Sequence, residues 1–188
     1  MGPMLVTKAM LPLLRKTRGR IINVTSAAAR NPVPCFAIYS SSKAGLEAMS
    51  DALRLELFKF GVDVCMLEPP NSPEKTPLCS RQSKYHQEMR AAITQENERV
   101  FGEYFRKCSK FICSLFPHPA NNGSADETFL QCFGAALTER NPDFIYSANK
   151  SGSLVENLRE PFLKMLLPRC YYDEMRRSRV PLPKFEEC

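Results

Sequence analysis

The chain has 188 residues, 44% of them hydrophobic and 24% charged, which is enough for one globular core and too little for two large domains. Eight glycines stand against fifteen prolines, and neither G-x-G-x-x-G nor G-x-x-x-x-G-K-[ST] occurs, so the usual phosphate loop of a dinucleotide site is not on this chain. The 26 Lys and Arg outweigh the 20 Asp and Glu by only +6, too mild a surplus to argue for nucleic acid.

The basic residues Arg15, Lys16, Arg18 and Arg20, and again Arg176, Arg177 and Arg179, read as solvated helix ends, where the backbone dipole favours cations. The eight cysteines include no C-x-x-C pair, and His86 and His118 stand apart from any pair, so no metal site is expected. Cys65 sits inside an apolar run, which points to reduced core thiols in an intracellular compartment. No uninterrupted apolar run approaches the roughly 18 to 20 residues of a membrane span, and Lys8 interrupts the apolar N-terminus.

In chain order, Leu5, Ala9 and Leu13 with Met10 and Leu14 have helical spacing, and Gly19 is the candidate cap after the basic turn. Arg20-Ile-Ile-Asn-Val-Thr25 is a β-branched run suited to a strand buried on both faces, followed by a loop with Pro32 and Pro34. A helix is predicted over 38–60, with Leu46, Met49, Leu53 and Leu57 on one stripe, Ala44, Ala48 and Ala52 on another, and Gly61 at its end. Residues 62–67 form the next strand, and strand, helix, strand with short links is by default a parallel unit. Four prolines within 69–77 then mark an irregular loop at the carboxyl edge of the sheet, where ligands sit in open α/β folds. One long helix is expected over 82–115, a break over 117–124, a helix over 125–138, a short strand over 144–146 and a last helix over 154–167.

The sharpest chemical feature is Tyr39-Ser-Ser-Ser-Lys43, preceded thirteen positions earlier by Ser26 at a strand end. Tyr and Lys four apart on a helix share a face, one turn apart. A free tyrosine titrates near pH 10, and a neighbouring ammonium favours the phenolate, the condition for proton transfer nearer neutrality. A serine hydroxyl on the adjacent strand end can then bond the substrate oxygen and hold it against the tyrosine.

With Gly19-Arg-Ile-Ile-Asn-Val-Thr-Ser26, Tyr39-x-x-x-Lys43, Val62-Asp-Val-Cys-Met-Leu-Glu-Pro69 and the helix Val6-Thr-Lys-Ala-Met-Leu-Pro-Leu-Leu14, the chain resembles the short-chain dehydrogenase/reductase family over about residues 2–76. The details of 6–14, 53–57 and 67–69 are similar to the branch of 3-hydroxybutyrate dehydrogenase, 17β-hydroxysteroid dehydrogenase type 2 and the retinol dehydrogenases. The resemblance implies an α/β fold: the C-terminal part of a Rossmann-type doubly wound parallel sheet with a helical C-terminal extension. It implies one partial NAD(P)-binding domain over 1–188, with the catalytic core in 1–80 and substrate-side helices and the extension in 81–188.

By the same resemblance Ser26 orients the substrate oxygen, Tyr39 moves its proton, and Lys43 holds the nicotinamide ribose and favours the phenolate. Tyr39, Lys43, Pro69 and Thr76 bind the cofactor, NAD or NADP, with Thr76 at the nicotinamide amide. The implied reaction interconverts a secondary alcohol and a ketone, on a small 3-hydroxy acid or a lipid such as a steroid or retinoid. Pro70 departs from the family's usual glycine, removing an N–H and fixing φ near −65°.

The family's glycine-rich half and a fourth catalytic residue, an asparagine, would lie before Met1, so a fragment or alternative product of a longer enzyme is expected, binding NAD(H) weakly or not at all. An inactive chain that partners the full-length enzyme is the alternative function. A homo-oligomer is expected through the helices 5–14 and 38–60, with no nucleic acid partner. The basic tail 176–179 suits peripheral contact with phospholipid, and the compartment, mitochondrial or cytoplasmic and membrane-associated, stays open.

Overall fold

The structure, a computed structural model, describes residues 2–32, 35–70, 80–115, 126–149, 168, 170–171 and 173–175. These fall into two compact units. The first contains helix α1 (Gly2–Thr17), strand β1 (Arg20–Val24), helix α2 (Ala37–Leu57), strand β2 (Asp63–Glu68), helix α3 (Glu127–Thr138) and strand β3 (Ile145–Ser147). The second contains helices α4 (Gln82–Ala91) and α5 (Gln95–Leu115).

The three strands are parallel in the order β1-β2-β3, with Ile22 opposite Cys65 and Leu67 opposite Tyr146. Successive side chains point to opposite faces of a strand, and both faces are filled. On one, Ile21, Val62 and Val64 meet Leu53, Leu57 and Phe60 of the α2 region and Leu11 and Leu14 of α1. On the other, Ile22, Cys65, Leu67 and Tyr146 meet Phe129, Cys132, Ala135 and Ala136 of α3. Cover on both faces is the reason β2 reads as a continuous apolar run rather than an alternating one. The result is the doubly wound parallel α/β arrangement expected from the sequence.

The Cys65 thiol lies buried between those layers, and burial pushes its pKa up, which keeps it protonated. Tyr146 is anchored by its hydroxyl, which donates to Glu139 Oε2 at 2.5 Å and accepts from Asp143 N–H at 2.9 Å.

Three local readings are corrected. The left-handed residue that ends α1 is Arg18 (φ 49°), not Gly19. Gly19 instead donates its N–H to the Leu14 carbonyl at 2.9 Å, and a Cβ there would stand 2.9 Å from Leu14 Cδ2, so a larger residue requires that side chain to shift. Arg20 is not a solvated helix end. Its side chain is 17% exposed, donates to the carbonyls of Ala136 (2.6 Å) and Glu139 (2.7 Å) at the end of α3, and pairs with Asp63 at 3.2 Å. It thereby satisfies carbonyls that a helix terminus leaves without intrahelical donors.

The third correction concerns the long helix over 82–115, which divides at 92–94. Thr94 starts α5 as a cap: its Oγ1 accepts from Asn97 N–H at 3.3 Å, and Glu96 and Glu98 lie in the first turn, where the dipole favours them. Gly61, by contrast, stands where expected, at φ 68° after a short 3₁₀ turn at Phe58–Phe60. Thr76, His118, the break at 117–124, the helix at 154–167 and the basic run at 176–179 lie outside the described residues.

Candidate active site

β1 ends by handing its ladder to Thr25, whose N–H donates to the Leu67 carbonyl at 2.9 Å. Ser26 follows in an extended conformation (φ −163°, ψ 148°) and caps a 3₁₀ turn, Ala27–Ala29, its Oγ accepting from Ala28 N–H at 3.2 Å. That bond uses a lone pair, so the hydroxyl proton is left to donate outward.

Tyr39 and Lys43 sit on the first turns of α2. The Lys43 ammonium donates to the Val24 carbonyl at 2.9 Å and lies 5.9 Å from the centre of the Tyr39 ring. One bond thus ties the Tyr39 and Lys43 face to the strand end two residues before Ser26. Partial burial lowers the lysine pKa from its ordinary value. An ammonium has three donors and the Val24 carbonyl takes one, so two remain for the hydroxyls of a sugar, as a nicotinamide ribose would require. Pro69 follows β2 directly and, lacking an N–H, offers only its carbonyl and ring.

α2 is seated on the sheet by polar contacts as well as by its apolar stripe. Ser50, fully buried, accepts from Asn23 Nδ2 at 2.8 Å and donates to the Leu46 carbonyl at 2.7 Å. A second anchor is a charge cluster that residue-type reasoning did not single out. Arg30, in the loop after Ser26, is hydrogen-bonded to the Glu68 carboxylate at the end of β2 and lies 3.9 Å from Glu47 of α2. Glu68 also accepts from Ser147 Oγ at 3.1 Å and from Asn149 Nδ2 at 2.6 Å.

Burial raises the Glu47 carboxyl pKa, opposed by the Arg30 charge and a hydrogen bond with Thr25. Arg30, Glu47 and Glu68 therefore join the three elements that carry Ser26, Tyr39 with Lys43, and Pro69. The available signal was a glutamate closing an apolar strand immediately before a proline. Among the described residues no group of three or more His, Cys, Asp and Glu could hold a metal ion, and no helix is long and apolar enough to cross a membrane.

This order of parts, a serine past one parallel strand and a Tyr-x-x-x-Lys helix leading to the next, is matched over residues 1–86 by the family model described as short chain dehydrogenase. Residues 1–86 belong to the short-chain dehydrogenase family. The chain is 37% identical to retinol dehydrogenase 7 of Rattus norvegicus over 150 residues, 79% of this chain and 46% of that protein. It is 33% identical to mitochondrial D-beta-hydroxybutyrate dehydrogenase of Mus musculus, over 75% of this chain and 41% of the relative. Estradiol 17-beta-dehydrogenase 2 of Mus musculus is 32% identical over 148 residues, 77% of this chain and 38% of its own length. The chain thus spans less than half the length of these relatives.

Proposed function

We propose that this chain supplies the catalytic and substrate-side part of an NAD(P)-dependent oxidoreductase that interconverts a secondary alcohol and a ketone. Tyr39, Lys43, Pro69 and Thr76 are the residues that would hold the dinucleotide, which when bound supplies or accepts the hydride. Ser26 donates its free hydroxyl proton to the substrate oxygen and fixes that oxygen beside Tyr39. In oxidation the Tyr39 oxygen takes the alcohol proton, and in reduction it returns it. The Lys43 ammonium lies one turn from Tyr39, and its two remaining donors would hold the ribose hydroxyls.

The observation that carries this reading is the Lys43 bond to the Val24 carbonyl, which holds the Tyr39 and Lys43 face over the strand end that bears Ser26. The substrate is a small 3-hydroxy acid or a steroid or retinoid, the classes named by the relatives above.

The test is turnover of the natural protein that carries this chain, followed by nicotinamide absorbance with NAD and NADP on a 3-hydroxy acid, a 17β-hydroxysteroid and retinol. Tyr39→Phe is expected to lower kcat at least about 100-fold with a much smaller change in KM. Normal turnover by Tyr39→Phe, or no turnover on any of the three, overturns the reading.

A further inference from the structure

The helices α4 and α5 bring together residues that the candidate active site does not use. His86 Nδ1 lies 3.5 Å from Cys113 Sγ, and Ser83 Oγ lies 3.7 Å from the same sulfur. Burial lowers the His86 pKa below its ordinary value, so the imidazole is neutral at physiological pH. With its proton on Nε2, Nδ1 accepts the thiol hydrogen, the geometry of a general base beside a nucleophile. Phe105 meets the imidazole edge to face at 6.1 Å and fixes its plane.

These groups line a cleft of about 380 Å³ together with Arg90, Arg106 and Lys110. Glu98 offsets part of that charge, accepting from Arg106 at 2.8 Å and lying 3.9 Å from Arg90. Of the other charges on the two helices, Lys84 pairs with Glu88 and Lys107 with Glu103. Three cations against one carboxylate leave the cleft electropositive, which favours an anionic partner. Cys113 is thus a thiol with a base, a cleft and a field, unlike Cys65, which is sealed in the core.

We propose that Cys113 is a reactive thiol, activated by His86, that exchanges with a small disulfide bearing carboxylates, for which oxidised glutathione is the probe. His86 takes the thiol proton, and the Cys113 sulfur attacks one sulfur of the small disulfide. A bond from Cys113 to that sulfur forms as the original S–S bond breaks, and the departing thiolate takes the proton from His86. One disulfide is consumed and one is formed, so no further oxidant is needed. The Lys110 ammonium and the two guanidiniums receive the carboxylates. The inference is independent of the dehydrogenase reading, because its readout needs no turnover.

The folded 188-residue chain is treated with oxidised glutathione or with uncharged iodoacetamide, and each thiol is followed by fragment-ion mass spectrometry. Cys113 is expected to react about tenfold faster than Cys35 and Cys170, which are exposed and serve as internal references, and the preference is expected to vanish in denaturant. His86→Asn should slow Cys113 toward both probes about tenfold and leave Cys35 and Cys170 unchanged, whereas Lys110→Gln should slow only the glutathione reaction. Reaction of Cys113 no faster than the references, a preference that survives denaturation, or an unchanged Cys113 rate in His86→Asn overturns the proposal. Equal slowing of both probes by Lys110→Gln overturns its anionic partner.

Discussion

Glu68 closes a strand whose preceding residues, Val64, Cys65, Met66 and Leu67, are all buried and apolar, and its own carboxylate is 4% exposed. A charge taken so far out of water is tolerated only when its lone pairs are matched, and here Arg30, Ser147 and Asn149 match them. These partners come from sequence positions 38 residues before and about 80 after, so each ties a distant segment to the end of β2. Removing the carboxylate leaves the Arg30 guanidinium without it and the Ser147 and Asn149 donors without this acceptor. Glu68→Ala is accordingly expected to lower unfolding stability by about 3 kcal/mol, measured by urea denaturation. Glu68→Gln keeps an acceptor for the neutral donors and should cost less. A loss below about 1 kcal/mol in the alanine variant would show that the cluster contributes no more than a surface pair.

Among the elements, those set by a local repeat were legible in advance and those set by a distant partner were not. β1, α2 and β2 follow from a β-branched run, a stripe at helical spacing and a second apolar run. The positions of Ser26 just past β1 and of Tyr39 and Lys43 on α2 were legible with them, because those positions follow from the same local runs. The cap duty of Arg20 and the burial of Glu68 depend on α3 and on the residues after β3, more than 75 positions away, and no local pattern announces them. The division between α4 and α5 differs in kind. The apolar stripe runs across 92–94 and hides the break, although Thr94 followed by Glu96 and Asn97 is a start signal of ordinary type. Thr94→Ala is expected to destabilise α5 by about 1 kcal/mol, with faster amide exchange over 95–98 and no change in β1 or β2. Unchanged exchange in that first turn would remove the cap from the account of why the helix divides.

At the scale of the whole molecule, the helices α1 and α2 carry more apolar surface than their packing on the sheet covers. α1 has no buried residue, and Met4, Leu5, Val6, Met10 and Leu13 are each about half exposed or more. On and just after α2, Ile38 is 89% exposed and Phe58 83%. Among the described residues β1 pairs only with β2, so its other edge presents unpaired backbone groups. Large side chains each gain roughly 1.5 to 3 kcal/mol when moved from water into an interface, so apolar faces of this extent favour association of copies through α1 and α2. The chain is therefore expected to sediment as a concentration-dependent oligomer. Placing a charge on each face, as in Val6→Glu with Phe58→Glu, should weaken association at least about tenfold, because each glutamate must be desolvated at the contact. Association by the β1 edge makes the opposite forecast, since neither substitution touches that strand. Sedimentation velocity of the chain and the double variant separates the two: an unchanged oligomer in the variant assigns the contact to the strand edge, and a monomeric parent chain removes both.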